Sequence, residues 1–273
     1  MSDELILAEP FRTLWAAQDP FVAVEALEGK VYRELEARRT LRIEVAGCGY
    51  FVKIHRGVGW GEILKNLLTL RAPVLGAGNE MRAIRRLEEL GVDTMCAVAY
   101  GARDGSPAAQ HSFIVTEELA PTVSLEDFCR DWPQRPPEPR LKRALIGRVA
   151  TMARRMHEGG VNHRDFYICH FLLHLDPVPT SDTFKLSLID LHRAQTRAHT
   201  PRRWRDKDLA SLYFSALQIG LTQHDFLRFL RIYFDRPLRE ILREEAGLIE
   251  HLQREAARLQ RRYLKKFAPG ASG

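Results

Sequence analysis

The sequence predicts an α+β chain of two lobes, a small antiparallel-sheet lobe with one core-facing helix followed by a larger, mainly helical lobe. Three observations carry this expectation. Short alternating runs crowd residues 31–55, a capped helix after residue 79 carries a carboxylate on its apolar stripe, and beyond about residue 120 the pattern turns mostly helical. With 273 residues, 45% of them hydrophobic, the chain can bury a substantial core, and no repeat or low-complexity tract interrupts it.

Three runs, VYRELE, TLRIEV and YFVKIH, are separated by the turn-like segments ARR and GCG and read as antiparallel strands. Side chains alternate along a strand, so Tyr50, Val52 and Ile54 share one face and Lys53 points away from it. The segment Trp60 to Arg71 has its leucines at helical spacing and reads as a short amphipathic helix that packs on the core or lies on a membrane. The next helix opens at Asn79 as N-cap and stops at Gly91. Glu80 falls on its stripe with Ala83, Ile84 and Leu87, so this carboxylate faces inward and needs a cation. The runs MCAVAYG and HSFIVTEEL complete a five-stranded sheet, and the chain leaves it through a hinge at Glu117 to Ala120. The lobes are therefore expected at 1–118 and 119–273. In the second, Ser124 caps SLEDF, a Pro-rich loop follows, a long helix runs from about Arg140 to Glu158, and further helices follow Arg205, Thr222 and Pro237.

The formal charge of +6 and a pI near 9.3 favour phosphate-bearing or anionic partners and also admit an acidic protein partner. No nucleic-acid motif or aromatic-basic platform accompanies the charge, so nucleic acid is not expected. The four cysteines show no CxxC pair and no metal-ligand spacing, which favours buried, reduced thiols and a reducing compartment. The opening MSDELILAEPF lacks a long apolar core, and no apolar run approaches the ~18 residues of a membrane span, so a cytoplasmic protein is expected.

The chemistry lies in the order of four groups: Lys53 on a strand, Glu80 on the following helix, His163, Arg164 and Asp165 in a loop after the long helix, and Asp190 ending the strand SLID. That order is the plan of a protein-kinase-like fold. A fixed cation neutralises the phosphates of ATP, a carboxylate holds that cation, one aspartate takes the acceptor's hydroxyl proton, and a second binds Mg²⁺. Singly, each residue has an ordinary reading. His163 to Asp165 can be a surface turn, Asp190 a strand-terminal cap, Lys53 an exposed strand lysine and Glu80 a solvated first-turn acid; their shared order favours the catalytic one. Two departures stand out. His170 occupies the place where kinases carry an asparagine ligand for a second Mg²⁺; imidazole suits that ion poorly, so His170 orients Asp165, touches substrate, or is a core histidine bound to backbone. No glycine-rich loop precedes Lys53; Arg38 and Arg39 stand in its place, as phosphate-binding charge or as solvated turn residues.

The segments LEGKVYRELEARRTLRIEV, GYFVKIHRGVGWGEILKN, HSFIVTEELAPT, ARRMHEGGVNHRDFYICHFLL and SLIDLHRAQ resemble the lipopolysaccharide core heptose(I) kinases. The likeness spans nearly the whole chain. It implies a kinase-like fold and transfer of the ATP γ-phosphoryl group to a hydroxyl of the first inner-core heptose. The acceptor would be an anionic core glycolipid, met by a peripheral enzyme on the cytoplasmic face of the inner membrane. Carried over by position, Asp165 is the base, Lys53 and Glu80 the phosphate-anchoring pair and Asp190 the Mg²⁺ ligand, while the backbone at Glu118 and Leu119 meets adenine. Rival readings are a protein kinase acting on tyrosine, another small-molecule kinase, and a nucleotide-binding pseudokinase scaffold.

Overall fold

The computed structural model describes residues 4–35, 37–57, 76–103 and 111–267. Contacts divide the chain into two compact units. The first comprises 1–85, 94–119 and 191–193, and the second 86–93, 120–190 and 194–273.

The first unit is built on an antiparallel sheet of six strands, β1 (Glu4–Leu7), β2 (Lys30–Leu35), β3 (Arg38–Val45), β4 (Cys48–Arg56), β5 (Ala97–Arg103) and β6 (His111–Glu117), in the order β1-β5-β6-β4-β3-β2. The expected count was five. The additional strand, β1, is a short edge whose residues pair with β5 from Glu4↔Ala102 to Leu7↔Ala99. Two short helices, α1 (Phe11–Leu14) and α2 (Pro20–Glu25), lay Phe11, Trp15, Phe21 and Val24 on the sheet face bearing Leu41, Ile43, Tyr50, Val52 and Ile54. Alternation thus buries the three β4 residues expected and turns Lys53 to the opposite face, where α3 (Gly78–Glu89) presents Glu80. The helix α3 begins at Gly78, two residues before the start that Asn79 as N-cap implies. Asn79 lies inside it and takes a hydrogen bond from Arg82 at 2.6 Å. The Trp60 to Arg71 segment lies outside the described residues.

The second unit opens with β7 (Thr122–Ser124) and α4 (Leu125–Phe128), where the Ser124 hydroxyl accepts from the amide of Asp127. The long helix α5 (Pro139–Glu158) is capped by Glu138, whose carboxylate accepts from the amides of Arg140 and Leu141. It buries Leu145, Ile146, Val149, Met152 and Met156 along one stripe. Strands β9 (Phe171–His174) and β10 (Leu186–Leu188) join β7 in one small sheet, and β8 (Val161–Asn162) pairs with β11 (Gln195–Thr196) in another. Helix α6 (Arg202–Ser215) starts before the expected Arg205, so the basic cluster at 202, 203 and 205 forms its first turn. Thr222 and Asp225 make a reciprocal capping box for α7 (Gln223–Phe234). The single helix expected after Pro237 is two, α8 (Leu238–Glu244) and α9 (Ala246–Phe267).

No disulfide joins the four cysteines, but only two fit the expectation of shielding: Cys48 and Cys96 are exposed, and burial pushes the Cys129 thiol up to about 12.

Candidate active site

In the first unit, Lys53 Nζ donates to Glu80 Oε1 at 2.6 Å, with the lysine side chain 13% and the glutamate 1% exposed. The inward carboxylate therefore meets the cation its burial demands. Its second oxygen, Oε2, is buried without a hydrogen-bond partner among the described residues. Arg38 and Arg39 part company, because β3 extends into the segment expected as a turn and strand neighbours point to opposite faces. Arg39 sits across from Ile54, donates to the Glu25 carbonyl at 3.3 Å and lies 3.5 Å from Glu34. Arg38 sits across from His55, on the face of Lys53. His55 is a member of this group that sequence reasoning missed. It is buried, and that burial, reinforced by the charges of Arg38, Lys53 and His192, pushes its pKa down to about 3. At the end of β6 the Glu118 amide donates to the Gly49 carbonyl at 2.9 Å, which leaves its own carbonyl free of that bond. Its carboxylate takes a forked contact from Arg42 at 2.6–2.9 Å, which holds the acid below the usual range.

In the second unit, residues 163–170 form a loop fastened by buried groups. Gly160 enters it with φ +84°, against the carbonyl of Arg197, which explains one member of the glycine pair in the sequence. Asp208 of α6, 1% exposed, accepts the amides of His163 at 2.6 Å and Arg164 at 2.8 Å. His157 reinforces that carboxylate: its Nε2 lies 3.4 Å from Asp208, and its Nδ1 lies 2.8 Å from the Tyr233 hydroxyl. Neither Asp208 nor Tyr233 was singled out from the sequence. The available signal was an acid within the helical run of Leu209, Ala210 and Leu212.

His163 is wholly buried, and its Nε2 donates to the carbonyl of Ile189 at 2.9 Å. It ties the loop to the residue before Asp190, and burial holds its pKa down. Arg164 has φ +74° and lays its guanidinium 5.5 Å from the Trp204 ring centre. Asp165 is half-buried beside the fully buried Phe166, and its carbonyl accepts from Tyr167 N at 3.0 Å and His170 Nδ1 at 2.7 Å. Asp190, also left-handed at φ +63°, carries a half-exposed carboxylate whose Oδ2 is 3.6 Å from His170 Nε2. The second unit thus brings Asp165, His170 and Asp190 together on one short frame.

The first unit holds a fixed lysine and the buried carboxylate that binds it, and the second holds one aspartate on a loop locked by Asp208 and another just past the end of β10; these are groups that bind and transfer phosphate. Residues 22–233 match the sequence profile of the lipopolysaccharide kinase (Kdo/WaaP) family. The chain belongs to that family. It is 69% identical to the lipopolysaccharide core heptose(I) kinase WaaP of Pseudomonas aeruginosa over 258 residues, 94% of this chain and 96% of the relative. It is 56% identical to the WaaP of Escherichia coli over 260 residues, 95% and 98% of the two chains. A solved structure of WaaP in complex with acyl carrier protein superposes with a TM-score of 0.84 at 64% identity, covering 94% of this chain and 99% of that one. The antiparallel-sheet N-terminal part and helical C-terminal part are thus those of a kinase-like fold. Like other kinases of this family the chain is an enzyme, and no helix among its described residues is long and apolar enough to cross a membrane.

The kinase fold implies a divalent ion beside the nucleotide, and the residues fit it in part. Asp190 offers the hard oxygen that Mg²⁺ prefers, whereas the neighbouring donor at His170 is nitrogen. Among the described residues no cluster of three or more His, Cys, Asp or Glu side chains forms an all-protein cage. An ion held by one or two side chains takes its remaining ligands from phosphates and water.

Proposed function

We propose that the chain transfers the γ-phosphoryl group of ATP to a hydroxyl of the first heptose of the lipopolysaccharide inner core, working peripherally at the cytoplasmic face of the inner membrane. The observation that carries this reading is the loop fastened by Asp208, which presents Asp165 and is tied through Ile189 and His170 to Asp190, in a chain so similar to two heptose(I) kinases. Residues 1–118 serve as the N-lobe and 119–273 as the C-lobe.

Asp165 accepts the proton of the sugar hydroxyl as it attacks, while Lys53, held by Glu80, binds the nucleotide's phosphates. Arg38 adds positive charge on the face of Lys53; Arg39, engaged on the opposite face, is poorly placed to share that work. The carbonyl of Glu118 and the backbone of Leu119 meet adenine. His163 and Arg164 act by positioning: one ties the loop to Ile189, the other braces it on Trp204. Asp190 would hold Mg²⁺, which when bound neutralises charge on the transferring phosphoryl group. Positioning and charge stabilisation account for the catalysis, with no covalent enzyme intermediate.

The positive charge suits an anionic core glycolipid and an inner-membrane surface. It also suits an acidic protein partner, of which the acyl carrier protein in the WaaP complex is an example. A cavity of about 460 Å³ in the second unit, lined by groups such as Leu145, Val149, Leu212, Phe226 and Leu252, has the apolar character an acyl chain requires. The deciding experiment incubates the protein with labelled ATP, Mg²⁺ and core glycolipid lacking the heptose phosphate, beside Asp165→Ala. Label on the sugar, lost in the variant, supports the proposal; bound ATP with no transfer overturns it in favour of a pseudokinase, and transfer to protein instead points to a protein kinase.

A further inference from the structure

The side chain whose chemistry disagrees with Mg²⁺ is held in place with unusual care. His170 Nδ1 lies 2.7 Å from the Asp165 carbonyl, and a carbonyl only accepts, so Nδ1 carries the hydrogen. In the neutral ring the lone pair is then on Nε2, and Nε2 faces Asp190 Oδ2 across 3.6 Å. The ring lies nearly parallel to His163, with centroids 5.5 Å apart and planes 14° from one another. Its main chain is bound as well: the His170 carbonyl accepts from the amide of Ile189, the residue before Asp190. The two donors are therefore linked through backbone, with their side chains facing one another across 3.6 Å.

With Nδ1 taken by the Asp165 carbonyl, Nε2 is the ring atom left to bind a ligand, and it lies beside a carboxylate. An imidazole anchored by one nitrogen to a carbonyl, with the other nitrogen beside a carboxylate, is the outer-shell arrangement that orients metal-binding histidines. An ion about 2.1 Å from both donors would subtend roughly 120° at the present separation, and closing it to about 3.0 Å would give the right angle of octahedral coordination.

We propose that His170 Nε2 and Asp190 are direct ligands of one divalent ion, and that the nitrogen donor makes the site favour transition-series ions over Mg²⁺. The proposal deepens the assignment of Asp190 as metal ligand and rests on it. Mg²⁺ gains little from imidazole, whereas affinity for a site with a nitrogen donor rises from Mn²⁺ to Co²⁺. Where an asparagine would leave an all-oxygen site, the histidine selects by donor type.

The test uses the full chain with ADP, grown once with natural and once with ¹⁵N-labelled histidine. Mn²⁺ is added and nitrogen couplings are read by pulsed electron paramagnetic resonance. The expected result is a directly coordinated nitrogen whose signal changes with the histidine label and disappears in His170→Asn. Competition titrations should show binding in the order Co²⁺, Mn²⁺, Mg²⁺, with the Mn²⁺ to Mg²⁺ affinity ratio falling about tenfold or more in His170→Asn. Absence of histidine coupling in the unaltered protein, its persistence in the variant, or a ratio that moves less than about twofold overturns the proposal. Should the variant fail to fold, the coupling and the ion order in the unaltered protein still decide. Phosphoryl transfer to heptose without nitrogen coupling overturns this proposal alone; nitrogen coupling without transfer overturns the heptose-kinase reading alone.

Discussion

Replacing Lys53 with methionine strands the Glu80 carboxylate, and the structure sets the scale of the consequence. Glu80 is 1% exposed, its Oε1 loses the 2.6 Å contact with Lys53, and Oε2 has no hydrogen-bond partner among the described residues. Removing one partner of a buried pair costs about 3–5 kcal/mol, because the remaining charge has neither water nor counter-ion. Glu80 lies in the first turn of α3, where the helix dipole returns a few tenths of a kcal/mol to the charged form. Lys53→Met should therefore lose about 3–5 kcal/mol, and the double variant Lys53→Met, Glu80→Gln, which leaves no uncompensated charge, should recover most of that loss. Urea unfolding at pH 7, extrapolated linearly to water, measures both numbers. A Lys53→Met deficit below about 1 kcal/mol, or a double variant no more stable than the single one, would refute the premise that the pair is an enclosed charge pair.

Three further outcomes follow from the geometry. His55, held down to about 3 against an ordinary 6.5, contributes stability that is complete above pH 6.5 and is lost as pH falls toward 3. At pH 5 the loss is about 2 kcal/mol, so His55→Leu should flatten the stability profile between pH 7 and 5, measured by urea unfolding at both. Asp208→Ala orphans the buried amide of His163 at about 1–3 kcal/mol and the part-buried amide of Arg164 at the low end of that range, and hydrogen exchange should show those two amides exposed while kcat collapses; retained protection would remove Asp208 from its positioning role. Gly160→Ala forces a Cβ onto the Arg197 carbonyl at φ +84° and should lose more than about 2 kcal/mol, whereas Gly147→Ala in α5, where the nearest neighbour would be Ile232 at 3.6 Å, should gain about 0.5–1 kcal/mol; thermal unfolding of the two variants gives the comparison.

How much of this site could be read in advance depends on whether a residue's role leaves a local pattern. The face of Lys53 was legible because strand alternation is a property of consecutive residues, and Glu80 because an acid on an apolar helical stripe calls for a cation wherever that cation lies. Edges and ends were less legible. Strand β1 leaves no local signal because its pairing depends on β5, almost a hundred residues later, and Asn79 has the chemistry of a cap although the helix begins at Gly78. Arg38 and Arg39 looked equivalent as a turn and became opposite as a strand.

The fastening of the catalytic loop was the least visible part, for a physical reason. Asp208 binds amides, the His163 ring binds the Ile189 carbonyl, and Ser215 accepts the Ile168 amide, so each contact has a backbone group as one partner. Backbone groups are the same at every residue and leave no mark in a sequence. A motif therefore names Asp165 and Asp190, while the residues that hold them are recognisable only as polar side chains buried without an evident side-chain partner. His170 belongs to both classes, since one ring nitrogen is bound to backbone and the other turned to Asp190. The backbone bond leaves the second nitrogen as the lone-pair donor, and replacing that ring with asparagine tests whether the donor chooses the ion.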